Sequence, residues 1–291
     1  MTPFEICEPR SLQEAVALLD PDDLSVRPIA GGTALMLMMK AGIFHPTRLV
    51  SLQSVEKQYS TIEIAGDRQL RIGAMTPLAT MERSPEVQRA APVLVRTLRT
   101  LANIRVRNVA TAGGNLAHGD PHMDLPPVLI ALGARVCVLG REGERTIAVE
   151  DLFAGYYETV LAKDELISNV IVPPQENKRS VYFKVTTRAA HDWPTLGVAV
   201  SLELDGTTIR DARVAISAAT DKPTRAAATE SVLRGSRVDD GLLRVAADAA
   251  AAEVEIRSDL RGSAAYKKRL LRVYLARAIR HILDASQGAP H

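Results

Sequence analysis

Between Thr111 and Pro126 the chain reads TAGGNLAHGDPHMDLP, which sets His118, Asp120, His122 and Asp124 at every second position, directly after a glycine pair. Imidazoles and carboxylates in this pattern raise two chemistries: metal ligation, and hydrogen bonding to a bound small molecule. His118 and His122 are four apart and would share one face of a helix, but Gly119 and Pro121 lie between them and oppose a helix. An extended segment would put all four on one side. The same glycine and proline predict a turning loop instead, and the sequence names no further ligands, so no metal site is assigned. An aspartate bonded to a ligand hydroxyl is the stronger reading. Asp124 is the candidate, because it opens the apolar stretch LPPVLIALGA, where a helix N-terminus would fix its side chain. The alternative is that Asp124 merely caps that helix.

Glycine pairs occur twice. In IAGGT, Gly31 and Gly32 stand between an apolar strand and a helix, where backbone can approach a ligand closely and helix-start N–H groups can hold an anion such as phosphate. Alone, such a turn is more often just a tight connection, and neither a P-loop nor a GxGxxG spacing is present. The second pair, Gly113 and Gly114 within Thr111–Asn115, repeats the ingredients with one hydroxyl and one amide. Two cradles closing on one pyrophosphate therefore stand beside two unrelated turns as readings.

The elements that must position these residues follow from periodicity. Ser11 to Glu14 forms a capping box ahead of a helix carrying Leu12, Val16 and Leu19, which Asp20-Pro21 closes. Around the first glycine pair the order is strand, turn, helix from about Thr33 to Lys40 stopped by Gly42, then strand. Thr61 to Ala74 reads as a hairpin with its turn at Gly66-Asp67. Helical patterning from 78 to 103 is interrupted by Pro85 and Pro92, and a short helix and a strand at Arg135 to Leu139 follow the opening stretch. VPPQENKRS, Val172 to Ser180, reads as a domain linker. Beyond it come successive strands with a turn at Asp205-Gly206, then helices near Pro223 to Leu233, Gly241 to Val254 and Ser263 to Leu283.

Composition narrows the function classes. With 291 residues and 46% hydrophobic content the chain can build one large domain or two to three smaller ones. A net charge of +2 and 4% aromatics give no reason to expect a nucleic acid partner. Cys7 and Cys137 belong to no CxxC pair, which leaves a disulfide scaffold, a structural zinc or an iron–sulfur cluster without support, and both are read as buried, inert thiols. GxSxG and HExxH are absent and neither cysteine has a catalytic context, so hydrolysis lacks a nucleophile and no catalytic residue is assigned. The N-terminus has no secretion-signal pattern and no apolar run reaches membrane-span length, so the expectation is a cytoplasmic chain.

AGGTALMLMMK and TAGGNLAHGDPHMDLPPVLIALGARV closely resemble the flavin-binding medium subunits of the molybdenum hydroxylases, the group that includes carbon monoxide dehydrogenase, xanthine dehydrogenase and aldehyde oxidase relatives. ETVLAKDELISNVIVP, YFKVTTRAAHDWPTLGVAVSL and GSAAYKKRLLRVYLARAI agree in order, so the resemblance spans nearly the whole chain. It implies an α+β fold: a noncovalent FAD-binding domain of the vanillyl-alcohol-oxidase (PCMH) type over residues 1–175, in subdomains of about 1–56 and 57–175, and a smaller α+β C-terminal domain over 178–285.

Carried onto this sequence, it implies a first cradle of Pro28, Ile29, Ala30, Gly31, Gly32, Thr33, Ala34 and Leu35 and a second of Thr111, Ala112, Gly113, Gly114 and Asn115, both on the FAD pyrophosphate, with Leu101 packing nearby. Asp124 would bind the nucleotide side, Ile167 would sit by flavin or adenine, and Lys184 would lie close to the cofactor. The implied function is electron transfer. A large subunit holds molybdopterin, a small subunit relays electrons through two [2Fe-2S] clusters, and FAD on this chain passes them to NAD, oxygen, a quinone or a carrier protein. The implied assembly is a dimer of heterotrimers, a heterohexamer. HDWP, His191 to Pro194, resembles the branch that reduces 4-hydroxybenzoyl-CoA and implies an aromatic or acyl-CoA substrate, although two cysteines cannot supply that branch's additional iron–sulfur cluster. A self-contained FAD oxidase of the same fold is the alternative. A scaffold that has lost flavin is a third reading, which intact glycines oppose. His118 and His122 receive no role.

Overall fold

A computed structural model describes residues 3–286. The N-terminal part runs β1 (Glu5–Cys7), α1 (Leu12–Leu18), β2 (Val26–Ile29), α2 (Leu35–Lys40) and β3 (Arg48–Ser51), and its three strands form a parallel sheet in the order β1-β3-β2. Ser11 caps α1 by accepting from the Glu14 N–H, but the Glu14 carboxylate reaches back to the Arg10 N–H at 2.8 Å rather than to Ser11, one residue beyond the box the sequence predicts. Gly42 ends α2 with φ +73°. The Gly42 and Ile43 N–H groups donate to the carbonyls of Met39 and Met38, the paired bonds of a Schellman motif.

A second sheet follows, built from β4 (Ile62–Ile64), β5 (Leu70–Gly73), β6 (Arg135–Gly140), β7 (Gly143–Ala148) and β10 (Leu166–Val172), all antiparallel in the order β4-β5-β10-β6-β7. The β4–β5 hairpin is as expected, although Arg68, not Gly66 or Asp67, takes the left-handed conformation in its turn. Between β5 and β6 lie six helices, α3 (Leu78–Arg83), α4 (Pro85–Ala90), α5 (Pro92–Thr100), α6 (Ile104–Val109), α7 (Ala112–Ala117) and α8 (Leu125–Ala131). Pro85 and Pro92 open α4 and α5, where a missing N–H costs nothing. The short pair β8 (Phe153–Gly155) and β9 (Glu158–Thr159) precedes β10.

The C-terminal part is an antiparallel sheet of β11 (Lys178–Val185), β12 (Leu196–Asp205), β13 (Thr208–Ser217) and β14 (Thr224–Arg225), followed by α9 (Ala227–Leu233), α10 (Asp240–Glu253) and α11 (Ala264–Ser286). Only residues 173–177 separate β10 from β11, so Lys178 to Ser180, read as linker, belong to a strand. β14 occupies the start of the first expected C-terminal helix, which begins at Ala227 rather than Pro223. Strand alternation gives this sheet two covered faces. Leu196, Val198, Val200 and Leu202 of β12 pack with α10 and α11, while Ala199 of β12 and Ala215 of β13 join the core built around α5 and α8. Cys7 and Cys137 are unpaired and half-buried, not buried as expected.

Candidate functional site

The two glycine segments meet. Pro28 and Ile29 end β2, Ala30 to Ala34 form the turn, and Leu35 begins α2. A Cβ on Gly31 would overlap the carbonyl of Val109 at the end of α6, so this glycine exists for close approach to the strand of chain that leads into Thr111. Gly32 serves conformation instead, with φ +69°. Among the described residues none accepts a hydrogen bond from the N–H groups of Ala30, Gly31, Gly32, Thr33 or Ala34. These half-buried residues thus present a run of unspent donors ahead of a helix.

The second segment is built differently from the turn the sequence predicts. Thr111 is the N-cap of α7, its hydroxyl accepting from the Gly114 N–H at 3.1 Å. The N–H of Ala112 donates to Thr76 and that of Gly113 to Ala74, at 3.0 and 2.7 Å. The N–H groups of Ala112 to Asn115 are therefore spent within the protein, and the segment offers surface and side chains rather than a second run of free N–H groups. Gly113 is a packing glycine, since a Cβ there would stand 2.6 Å from the Ala74 methyl. Gly114 is exposed and faces the first turn, where an added Cβ would lie 3.6 Å from Ala30. Asn115 is buried; its Nδ2 donates to the Met123 Sδ at 3.2 Å and its Oδ1 has no partner.

Asp124 does not cap α8. Its side chain turns away from the helix start and accepts from the Tyr182 hydroxyl at 2.7 Å and from Lys184 Nζ at 2.8 Å. Tyr182 and Lys184 are two apart on β11 and so point to the same face. Room for the tyrosine comes from Gly197, opposite Lys184 in the register, where a Cβ would approach the Tyr182 hydroxyl to 2.7 Å. Lys184 Nζ also donates to the Thr100 carbonyl at 2.9 Å, next to the buried Leu101. Burial pushes the Asp124 carboxyl up, against the opposing pull of Lys184 and Tyr182, and burial followed by the Asp124 charge pushes the Tyr182 phenol well up. Ile167 lies in the main core on β10; its neighbour Ser168 accepts at its carbonyl from Ala74, the residue packed on Gly113.

The predicted residues thus fall into two joined groups. Both glycine segments and, through Ala74, Ile167 form one, while Asp124, Lys184 and Leu101 form the other, and the 118–124 loop connects them. Sequence reading passed over Tyr182, Thr100 and Met123. Tyr182 was within reach, because a residue two before Lys184 on a strand must share its face.

The His and Asp side chains of the loop disperse instead of converging. Asp120 Oδ1 accepts from the backbone N–H of His122 and contacts its Nδ1 at 3.0 Å, His118 lies edge-on to Tyr157, and Asp124 points to Lys184. Among the described residues no three His, Cys, Asp or Glu side chains are arranged to hold a metal. Burial lowers the His118 imidazole against the opposing pull of Asp120. Asp120 itself feels burial most, which raises it, but its bonds from His122 hold it below the usual carboxylate range.

This arrangement has relatives. Residues 2–175 match the family model described as the FAD binding domain in molybdopterin dehydrogenase, and residues 181–282 match the CO dehydrogenase flavoprotein C-terminal domain. The chain belongs to the flavoproteins of the molybdenum hydroxylase family. The glyceraldehyde dehydrogenase medium chain of Sulfolobus acidocaldarius is 31% identical, over 96% of this chain and 98% of its own. The nicotine 6-hydroxylase medium subunit of Paenarthrobacter nicotinovorans is 35% identical, over 93% and 94%. A carbon monoxide dehydrogenase structure from Hydrogenophaga pseudoflava superposes with a TM-score of 0.92 at 34% identity, covering 97% of this chain and 98% of that one.

The flavoprotein is therefore an FAD-binding medium subunit of a multi-subunit complex and an oxidoreductase component. Its residues fit the cofactor: five free N–H groups suit a pyrophosphate, and a buried carboxamide oxygen awaits a donor. No helix among the described residues is long and apolar enough to cross a membrane.

Proposed function

We propose that this chain binds FAD noncovalently where the two glycine segments meet and serves as the exit for electrons in a cytoplasmic molybdenum hydroxylase. A large subunit would carry molybdopterin and a small subunit two [2Fe-2S] clusters, with the complex a dimer of heterotrimers and NAD, oxygen, a quinone or a carrier protein as acceptor. The observation that carries the reading is the run of unpartnered N–H groups from Ala30 to Ala34, facing the side-chain-free surface of Gly114. When bound, the isoalloxazine supplies acceptance and release of electrons singly or in pairs. The chain's own task is to hold, orient and desolvate it.

Pro28 and Ile29 anchor the turn on β3, the turn donates to the pyrophosphate, and Leu35 starts a helix whose dipole favours the anion. Thr111 to Asn115 wall the other side, with Ala112 and Gly113 fixed to Thr76 and Ala74 so that Gly114 holds its place. Asp124 and Lys184, bonded to each other, join the C-terminal sheet to the end of the loop and act on the nucleotide through that placement. Ile167 and Leu101 pack behind the site as buried apolar contacts.

Gly114→Val tests this reading. The side chain would fill the gap toward Ala30, with its Cβ pressing to 3.0 Å on the Thr111 hydroxyl that caps α7, so FAD affinity should fall about tenfold or more with a smaller fall in melting temperature. Titration of the purified chain with FAD, followed by quenching of flavin fluorescence, is the measurement. Unaltered affinity in this variant, or no saturable FAD binding by the parent chain, would sink the proposal.

A further inference from the structure

The carboxamide of Asn115 has an orientation that chemistry alone settles. A thioether sulfur carries no hydrogen, so the group 3.2 Å from Met123 Sδ must be the NH2, and Oδ1 is thereby the atom left buried without a partner. A buried acceptor in this state requires a donor. The pyrophosphate of FAD has none, being acceptor throughout, and the N–H donors of the isoalloxazine and adenine rings lie at the far ends of the cofactor, whereas the ribityl and ribose hydroxyls adjoin the pyrophosphate.

We infer that Asn115 recognises a hydroxyl of the bound cofactor rather than its phosphates, and that His122 is a positioning residue for this contact. The inference rests on the FAD reading above. Sulfur is a weak acceptor, so the carboxamide is held only as firmly as the turn that carries Met123. That turn is built on Asp120: its carbonyl accepts from the Met123 N–H at 3.2 Å, and its Oδ1 accepts from the His122 N–H at 2.9 Å and contacts the ring Nδ1 at 3.0 Å.

The C-terminal part grips the other side of the same ring. Trp193 stacks on it with centroids 5.2 Å apart, and Asp259 Oδ2 stands 3.7 Å from Nε2. Asp259 is fixed in turn by Lys267 of α11, a lysine only 1% exposed, at 2.8 Å, and Lys267 also donates to the Ala218 carbonyl. The Ala218 N–H reaches back to the Pro121 carbonyl at 2.9 Å. The loop is thus pinned from both domains, with Met123 near its end in contact with Asn115 of α7. His122, which the sequence left without a role, is the residue both domains hold.

Two substitutions of Asn115 separate hydroxyl from phosphate recognition in the full chain titrated with FAD. Asn115→Asp keeps an acceptor and adds a negative charge; Asn115→Leu keeps the shape and removes the acceptor. For hydroxyl recognition the leucine variant loses roughly tenfold or more in affinity and the aspartate variant loses less. If the aspartate variant is the weaker binder, the side chain faces phosphate and the inference is overturned, while saturable binding by the parent leaves the FAD reading intact. Absence of binding by the parent overturns both.

Titration of the same variants with FMN and with ADP locates the hydroxyl: weakened FMN binding in Asn115→Leu assigns it to ribityl, and weakened ADP binding to ribose. His122→Ala should weaken FAD roughly three- to thirtyfold, and adding it to Asn115→Leu should cost no more than Asn115→Leu alone. Additive losses, or losses explained by a lower melting temperature of His122→Ala, would reduce His122 to a general structural residue.

Discussion

The four cradle glycines share a residue type and little else. Gly31 and Gly113 are where backbone and methyl group crowd them, Gly32 is where φ demands it, and Gly114 alone lies open toward the opposing turn. A sequence shows the pairs but cannot apportion these duties, because each depends on an atom dozens of residues away: Val109 for Gly31, Ala74 for Gly113. The alternating His and Asp residues show the same limit. Gly119 and Pro121 predict a turning loop rather than a shared side, and the chain does turn there, but the partners it gives these side chains, Tyr157, Trp193 and Lys184, are remote in sequence. His118 carries a pH prediction. Burial holds its imidazole below the ordinary value, so the folded chain binds that proton less readily than the unfolded chain does. Stability must then fall as pH drops below about 6.5, until the lower folded value is passed. His118→Asn removes this contribution, and its urea midpoint should decline less than the parent's between about pH 7 and pH 5. Parallel declines would show that His118 is not a source of acid sensitivity.

At the scale of elements, legibility followed how local the signal was. Pro85 and Pro92 at helix starts, Gly42 at a helix end and the Gly206 turn between β12 and β13 were readable, since the residue that speaks is the residue that acts. α6 and α7 were not, because six-residue helices are unstable alone and owe their form to caps at Asn103 and Thr111 and to packing against the first turn. The pairing of β11 with the start of α8 was hidden for another reason: Asp124 and Lys184 are 60 residues apart, and the helix N-terminus offered a nearer explanation for the aspartate. The structure makes that contact strong and testable. Lys184→Met leaves a buried carboxylate with Tyr182 as its remaining partner, and should destabilise the chain by about 3–5 kcal/mol. Lys184 pulls the Asp124 pKa down against burial, so removing it pushes the folded value further up. The deficit should therefore be smallest in acid, where Asp124 is protonated in both states, and grow as pH rises through the folded value. Adding Asp124→Asn should recover part of the loss in denaturant unfolding; simple additivity of the two substitutions would mean that the pair contributes nothing.

At the scale of the whole molecule, the linker is short and the interface is not linker-like. Every residue of α8 is buried, and the core of the N-terminal part takes in Ala199 and Ala215 from the C-terminal sheet. Glu150 near β7 bonds Arg225 on β14 at 2.9 Å and lies 3.5 Å from Arg213 on β13, and Gln175 in the linker donates to the Leu132 carbonyl. Composition patterns marked Val172 to Ser180 as a break, yet burial makes α8 an internal wall shared by both parts, and a wall of this kind does not tolerate separation. Two consequences follow for unfolding. The full chain should show one cooperative calorimetric transition, because neither part retains its core once the other has opened. A chain ending at residue 175 should lose the sheet that covers α8 along with the Tyr182 and Lys184 partners of Asp124, leaving an apolar helix and an unpaired carboxylate at the surface. It should aggregate or melt well below the full chain, and bind FAD weakly despite keeping both glycine segments. A truncated chain that stays monomeric and binds FAD as tightly as the whole would show instead that the C-terminal part is an appendage, and that the site stands without it.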